Sequence, residues 1–211
     1  MNDAPRPLEG LRVVEFSHMV MGPTCGLILA DLGADVVKIE PAPDGDKTRR
    51  LSGSGAGYFG TFNRNKRSVS VDLKSVQGLK FATDLVRASD VLLENFGAGV
   101  LDRLGLGYDA MQEINPSLVY CALKGFLSGP YEQRAALDEV VQMMGGLAYM
   151  TGPEGHPLRA GASVNDVMGG LFGVIAIQAA LWERQRTGKG TFVRSGLFEN
   201  NMFLVAQHMV Q

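Results

Sequence analysis

The sequence predicts an α/β protein with a Rossmann-like, doubly wound and mostly parallel sheet. Short apolar runs rich in β-branched residues alternate with helical segments from residue 11 to residue 123. The first strand, helix and second strand fit within about 30 residues, the length of one βαβ unit, and strands joined in this way run parallel. Of the 211 residues, 45% are hydrophobic and 20% are charged, a composition typical of a globular protein with a substantial core.

The first elements follow from local patterns. LRVVEF (11–16) and DVVKIE (35–40) are short apolar runs and predict buried strands. Between them, residues 24–34 predict a helix, with Pro23 suited to its first turn and Gly33 to its end. The residues that follow, up to position 57, are rich in Pro, Gly and charge and predict an exposed loop.

Three more strands are predicted at 68–73, 90–96 and 117–123. An amphipathic helix over 75–89 separates the first two, with an inner face of Leu79, Phe81, Ala82, Leu85 and Val86. Two short helices around Leu101 and Met111 precede the third strand. The repeated order of strand and helix is that of a doubly wound domain.

The pattern changes beyond Lys124. Residues 138–150 predict a helix, and a long helix from Asp166 to about Arg186 follows a loop. A strand at 191–195 and an apolar helix that runs into the C-terminus come last. We interpret residues 1–186 as one large Rossmann-like domain and residues 187–211 as the truncated start of a linker or second domain.

Composition excludes several classes of protein. The formal net charge of −2 argues against sequence-independent nucleic-acid binding, which needs a basic surplus. Cys25 and Cys121 lie far apart without ligand-like spacing, which favours a reduced, cytoplasmic protein without disulfides. Residues 1–10 lack the apolar core of a signal peptide. The apolar segment 167–182 is shorter than the ~20 residues of a membrane span and contains Gln178, so we expect a buried helix and no membrane partner.

Several local motifs permit two interpretations. The loop SHMVMGP after the first strand has a single glycine and lacks the dinucleotide fingerprint. NRNKR (63–67) is either a solvated turn, which composition favours, or a phosphate clamp. ENF (94–96) ends a predicted strand, where open α/β sheets bind ligands, and its amide and aromatic ring suit a heterocycle. His18 lies in the first strand-to-helix loop, and the three histidines are too far apart in sequence to predict a metal site.

Asp166 stands in the segment GASVNDVMGG at the start of the long helix. One interpretation is an N-cap that accepts a helical N–H. The other is an ionised carboxylate nucleophile at the positive end of the helix. Gly169 and Gly170 would let a substrate or another backbone come close, and they also suit tight helix packing. Chemistry alone leaves the two roles of Asp166 open.

In combination, these segments resemble the class III CoA-transferase family, of the CaiB/BaiF type, which includes the formyl-CoA transferases. The resemblance is carried in order by LEGLRVVEFS, GP, LADLGADVVKIE, NRNKRSVSVDLK, ENF–G–LDRLGL, NPSLVYCALKGF and the D–GG turn. It extends over essentially the whole chain. It implies a CoA-transferase with coenzyme A or an acyl-CoA as substrate, a small carboxylic acid as the second substrate, no permanently bound cofactor and no metal.

The resemblance also implies roles for individual residues. The family's catalytic aspartate falls on Asp166, whose carboxylate would form a mixed anhydride and then an aspartyl-CoA thioester. CoA and substrate contacts fall on residues along the carboxyl edge of the sheet and on the start of the 138–150 helix: His18, Met19, Val20, Val71, Lys74, Asn95, Phe96, Gly97, Arg103 and Asp138.

This sequence departs from formyl-CoA transferases at two positions. Val20 stands where those enzymes have a glutamine, and an alanine near position 135 stands where they have a lysine. Both differences argue against a formyl-CoA/oxalate pairing and leave a dicarboxylic or branched short acid open. The family also contains α-methylacyl-CoA racemases, but their Gly-His-Asp segment falls on Ala136, Leu137 and Asp138, so one proton carrier is missing.

Length is the remaining difference, since family members have roughly 400 residues in two domains and form interlocked homodimers. We therefore expect this sequence to be the N-terminal half of a transferase, and inactive by itself. A racemase is the second hypothesis. The third is a truncated, non-catalytic subunit that binds CoA or a partner chain.

Overall fold

A computed structural model of the chain describes residues 6–209. Six parallel strands form one sheet in the order β3-β2-β1-β4-β5-β6. The strands are β1 (Arg12–Phe16), β2 (Asp35–Pro41), β3 (Arg67–Val71), β4 (Val91–Glu94), β5 (Val119–Lys124) and β6 (Phe192–Gly196). The predicted α/β class with a parallel, doubly wound sheet is confirmed.

The helices lie in the connections between strands and after the last strand. They are α1 (Met21–Asp31), α2 (Tyr58–Phe62), α3 (Val76–Arg87), α4 (Val100–Arg103), α5 (Tyr108–Ile114), α6 (Asp138–Met144), α7 (Leu147–Thr151), α8 (Val164–Thr187) and α9 (Leu197–Val205). Short 3₁₀ turns occupy Lys47–Arg50, Gly53–Gly55 and Ala206–His208.

Alternate side chains of the strands build two cores. Val13 and Leu93 pack on one face of the sheet with α1 and α8. Val14 and Leu92 pack on the other face with α3 and α5. Successive residues of a strand point to opposite faces. Because helices cover both faces, β4 and β5 are buried along nearly their whole length, whereas the edge strands β3 and β6 are partly exposed.

The site is located by the order of the strands. β1 lies between β2 and β4, so the chain continues to one side of β1 first and to the other side later. Open α/β sheets bind ligands outside the carboxyl ends of the strands at such a switch point. The residues that follow β1 and β4, among them His18 and Asn95, lie at this point.

Several predicted boundaries shift in the structure. α1 begins at Met21, three residues earlier than expected, and β3 ends at Val71 rather than at position 73. Phe81 is 46% exposed and does not belong to the inner face of α3. Each helical residue turns by about 100°, which places Phe81 beside the arc that contains Ala82 and Val86 rather than within it.

The predicted 138–150 helix is two helices. α6 ends at Met144, and Gly146 has φ +83°, a left-handed conformation that interrupts the helical path before α7. A Cβ on Gly145 would lie 1.8 Å from Nδ2 of Asn201, so the end of α6 is packed directly on α9. The absence of a side chain at Gly145 therefore lets the end of α6 approach α9 closely.

α8 matches the long helix predicted from Asp166 to about Arg186 and extends slightly beyond it at both ends. It has 24 residues and ends at Thr187, and Gly188, which has φ +70°, is its C-cap. With a mean hydropathy of 1.5 in its most apolar window, α8 is long and apolar enough to cross a membrane by length and composition alone. It packs against α1 and strands β5 and β6, and 44% of that window is buried.

The last two elements, β6 and α9, pack against the sheet and the helices already described. β6 pairs with β5 as the sixth strand of the sheet, and α9 contacts both α6 and α8. The domain boundary after Arg186 stays a prediction, with β6 beyond it in the same sheet. The apolar C-terminal helix is confirmed as far as Val205, and residues 210–211 of that prediction lie outside the described residues.

Candidate active site

The loop between β1 and α1 is held by the residue that follows β4. The backbone N–H of His18 donates to Oδ1 of Asn95 at 3.0 Å, and Nδ2 of Asn95 donates to the carbonyl of His18 at 2.9 Å. Met19 follows with φ +62°, and its N–H donates to Oγ1 of Thr48 at 3.1 Å. Both the oxygen and the nitrogen of the Asn95 amide are thus bonded to the loop, so this amide fixes the loop, and its predicted contact with a heterocycle stays a prediction.

A buried ionic cluster supports the same loop from below. Glu15 is fully buried and contacts two ammonium groups, with Lys66 Nζ at 2.9 Å and Lys38 Nζ at 3.4 Å. Lys38 also donates to the carbonyl of Ser17 at 2.6 Å and contacts Asp46 at 3.1 Å. The cluster therefore ties the end of β1 to β2 and to the loop after it.

The basic segment 63–67 is part of this framework. Each of its cations pairs with a carboxylate of the protein, in the pairs Arg64–Asp31, Lys66–Glu15 and Arg67–Asp35. Lys66 also donates to the carbonyl of Pro23 at 2.8 Å, which joins the segment to α1. These pairings are intramolecular and do not support a phosphate clamp.

Asp166 is the third residue of α8, and the N-cap interpretation is wrong, since Ser163 occupies that position. The N–H of Asp166 donates to Oδ2 of Asp138 at 2.9 Å, so a carboxylate from α6 caps the start of α8. Oδ1 of Asp138 accepts from Gln142, and Oε1 of Gln142 accepts the N–H of Ala160 at 2.7 Å. The turn that carries Asp166 is therefore fixed on α6.

The carboxyl group of Asp166 is poised between its two protonation states. Burial, with a further contribution from the nearby carboxylates Asp138 and Glu139, raises its pKa to about 7. The helix N-terminus opposes this shift without cancelling it. Because nucleophilicity rises with basicity, a carboxylate with this pKa is a stronger nucleophile than an ordinary one.

We expect Asp166→Asn to stabilise the fold strongly at pH 8 and clearly less at pH 5. With its pKa raised from 3.8 to about 7, Asp166 makes the folded protein bind more protons than the unfolded chain across that window. Stability therefore falls as the pH rises through it, by about 1.4 kcal/mol per unit of pKa shift. We expect a gain of about 2–4 kcal/mol for the variant at pH 8, measured by urea denaturation. An equal effect at both pH values, or the same gain from the exposed control Asp44→Asn, would contradict the shift.

The glycines after Asp166 serve helix packing. A Cβ on Gly169 would lie 2.4 Å from Cε of Met21, and one on Gly170 would lie 2.8 Å from Cβ of Thr24. Both glycines therefore let α8 approach α1 closely. The sequence allowed either a substrate or another backbone to lie close to these two glycines, and the contacts support another backbone.

Asp166 opens onto a cavity of ≈ 380 Å³ at the switch point. Six of the predicted site residues line it: His18, Met19, Val20, Asn95, Asp138 and Asp166. A larger cavity of ≈ 480 Å³ lies beside β4, β5 and β6 and does not include Asp166. We take the smaller cavity as the candidate active site because Asp166, the residue predicted to be the nucleophile, lies there. Burial lowers the pKa of His18, so its imidazole is neutral at pH 7.

The other predicted residues lie outside the smaller cavity. Val71 is buried in the core under α3, and Lys74 is exposed after β3. The ring of Phe96 lies 5.6 Å from that of His18, and the exposed Gly97 follows it. Arg103 lines the larger cavity.

Three further residues of the smaller site were not predicted. Lys124 and Arg159 line the cavity, and Gln142 joins Asp138 to the loop before α8. Their only sequence signals are a lysine at a strand end and a single arginine in a Gly- and Pro-rich loop. Within residues 6–209, no group of three or more His, Cys, Asp or Glu side chains could hold a metal ion.

Comparison with known sequences identifies the family. Residues 8–211 match the profile of CoA-transferase family III. The chain is 41% identical to succinate–glutarate CoA-transferase from Agrobacterium fabrum, covering 94% of this chain and 54% of that protein. It is 42% identical to formyl-CoA:oxalate CoA-transferase from Rhodopseudomonas palustris, covering 91% and 46%. The chain thus spans about half the length of the curated relatives it matches.

Solved structures agree with the sequence comparison. A CaiB/BaiF family protein from Brucella suis superposes with a TM-score of 0.91 at 42% identity, over 98% of this chain and 57% of that one. The hypothetical protein Rv3272 from Mycobacterium tuberculosis superposes with a TM-score of 0.91 at 35% identity, over 99% and 59%. With the family profile covering nearly its whole length, this chain belongs to CoA-transferase family III.

Proposed function

We propose that the protein containing this chain transfers CoA from an acyl-CoA to a carboxylic acid, with Asp166 as the nucleophile. The observation that carries the proposal is a carboxyl group with a pKa of about 7 that opens onto a cavity at the switch point. The thiols of Cys25 and Cys121 are buried in the core between the sheet and α1, away from this cavity.

Covalent catalysis through Asp166 conserves the energy of the thioester. An Asp166 oxygen attacks the acyl carbonyl, a mixed anhydride forms, and the C–S bond breaks to release CoA thiolate. The thiolate then attacks the Asp166 carbonyl, which gives an aspartyl-CoA thioester and frees the donor acid. The acceptor carboxylate repeats these two steps in reverse order, which returns the carboxylate of Asp166 and the new acyl-CoA.

The position of Asp166 suits this chemistry. Its turn is held by Asp138 and Gln142, so the backbone that carries the carboxylate is already fixed before substrate binds. Partial burial limits the access of water, which would hydrolyse either intermediate. Asp138 acts here as a positioning residue, since both of its oxygens accept bonds from the protein.

The carboxyl edge of the sheet offers a path for CoA. Lys74 and Arg103 are exposed cations after β3 and at the end of α4, and neither pairs with a carboxylate among residues 6–209. Guanidinium and ammonium groups bind phosphate well. Met19 and Val20 line the cavity of Asp166, where the pantetheine arm would reach the nucleophile.

A racemase remains the second candidate because His18 lines the same cavity as Asp166. A neutral imidazole and a carboxyl group could form an acid–base pair. Leu137, which also lines the cavity, cannot carry a proton.

The test is an exchange assay on the protein that contains this chain, with acyl-CoA donors and labelled carboxylic acids. We expect label to enter the CoA thioester, with kcat/KM rising as the pH increases towards 7 and Asp166 ionises. Hydroxylamine added with a donor should release CoA thiol and leave a hydroxamate at Asp166, located by mass spectrometry. Deuterium uptake at the α-carbon of a 2-methylacyl-CoA without exchange would instead establish the racemase.

A further inference from the structure

Arg159 is a cation in the Asp166 cavity that the proposed mechanism does not use. The cavity is lined by three acidic side chains, Asp138, Glu139 and Asp166, and by two basic ones, Lys124 and Arg159. Lys124 forms an ion pair with Glu94 and donates to the carbonyl of Phe96 at 2.7 Å. Its charge is therefore committed within the protein.

The guanidinium of Arg159 is available by contrast. Its Nε donates to the carbonyl of Ala160 at 3.0 Å, and no carboxylate among residues 6–209 pairs with it. The bond at Nε leaves the two Nη groups, which form one of the bidentate edges of a guanidinium. Arg159 is thus an exposed arginine at the wall of the cavity whose Nη edge has no partner among the described residues.

The backbone around Arg159 is fixed relative to Asp166. The N–H of Leu158 donates to the carbonyl of Ala148 at 2.9 Å, and that of Ala160 donates to Gln142 at 2.7 Å. Gln142 in turn bonds the carboxylate of Asp138 that caps the turn of Asp166. The segment of Arg159 is therefore anchored to α7 through Leu158 and to α6 through Ala160, and the turn of Asp166 is anchored to α6 as well.

The chemistry of the acceptor acid indicates which group the Arg159 guanidinium would bind. The acceptor attacks as a carboxylate, and three acidic groups in the cavity oppose the entry of any anion. An arginine bound to the attacking carboxylate would withdraw its electron pairs and weaken it as a nucleophile. A second carboxylate on the same acid would instead let Arg159 attract and orient the molecule while the first carboxylate stays free to react.

We infer that Arg159 binds the distal carboxylate of a dicarboxylic acid, and that this contact makes short dicarboxylic acids the preferred acceptors. The inference rests on the proposed function, because it assigns the acceptor for that reaction. Arg159 is accordingly a specificity-determining residue, with its bidentate Nη edge matched to a carboxylate.

The test compares acids that differ only in the second carboxylate, on the protein that contains this chain. Succinate is paired with butyrate and glutarate with pentanoate, with one monocarboxylic acyl-CoA as donor throughout. We expect the wild type to favour the dicarboxylate in kcat/KM. Arg159→Gln should reduce this preference about 10- to 100-fold, mainly through the KM of the dicarboxylate, and Arg159→Lys should retain part of it.

The control is Arg186→Gln, which removes the same charge from an exposed position at the far end of α8. It should leave the preference unchanged. Calorimetric titration with succinate and butyrate gives a readout independent of turnover, and Arg159→Gln should weaken only the binding of succinate.

The outcomes separate this inference from the proposed function. A preference that Arg159→Gln leaves unchanged, in an enzyme that Asp166→Ala inactivates, would overturn the role of Arg159 alone. A wild type that prefers the monocarboxylates would overturn it as well. Exchange that survives Asp166→Ala while Arg159→Gln still shifts the preference would overturn the nucleophile assignment and uphold the role of Arg159.

Discussion

Replacing Asp166 by alanine in the protein that contains this chain is expected to lower kcat/KM for CoA exchange by on the order of a thousand-fold or more. In the proposed mechanism alanine removes the oxygen that attacks the thioester, so neither the mixed anhydride nor the aspartyl-CoA thioester would form. The measurement is transfer of CoA to a labelled acid, with the hydroxamate at Asp166 as a second readout.

Two controls make this result specific. Asp44→Ala removes a carboxylate from an exposed loop position and should leave exchange unchanged. The N–H of residue 166 still donates to Asp138 in the alanine variant, so its circular dichroism should match that of the wild type. Exchange by Asp166→Ala at the wild-type rate would show that another group attacks the thioester.

Replacing Glu15 by glutamine is expected to lower the free energy of unfolding by about 3–5 kcal/mol. Glu15 is the carboxylate between Lys38 and Lys66, and the side chains of all three are at most 2% exposed. A neutral amide leaves two buried ammonium groups with less compensation, and the charges cannot reach water. Urea denaturation followed by circular dichroism measures the change.

The matched control is Asp84→Asn, which removes a carboxylate that pairs with Lys80 and Arg87 on the surface. Its effect should fall within experimental error, because exposed ion pairs are screened by water. Lys66→Gln should destabilise less than Glu15→Gln, since Glu15 keeps Lys38 as a partner. Equal stability of Glu15→Gln and the wild type would mean that the cluster does not hold the sheet to the first loop.

The decrease in the free energy of unfolding caused by Glu15→Gln should also depend on pH. Burial lowers the pKa of Lys66 below its ordinary value of 10.5. The folded protein then binds fewer protons than the unfolded chain, so stability rises with pH up to that value. Removal of Glu15 strengthens this dependence because it removes the charge that opposes the shift.

The predicted elements were largely right because their signals are local. Apolar runs located the six strands, and the alternation of strands with helices predicted the parallel sheet that the structure has. The errors occur where one element meets another. The 138–150 helix breaks at Gly146, next to the point where Gly145 packs on α9, and Phe81 stands beside the buried arc of α3.

The candidate site was only partly readable from the sequence. Asp166 was marked as a candidate by its place at the start of a helix, and the family resemblance pointed to His18, Asn95 and Asp138. The role of Asn95 in fixing the first loop could not be predicted from the sequence, because its amide is hydrogen-bonded to His18, 77 positions away. Arg159 belongs to no recognisable sequence motif. Only the tertiary structure shows that the loop before α8 places it at the wall of the cavity.

By itself, the sequence determined the strands, most of the helices and the family, since hydrophobic periodicity and ordered motifs are written in neighbouring residues. Only the tertiary structure decided which charged groups are free. Lys66 and Glu15 are 51 positions apart and neutralise each other in the core, while Asp138 caps a helix turn 28 positions away. Burial and the charges brought close by folding set the pKa of Asp166, and both depend on how α6 and α8 pack against each other.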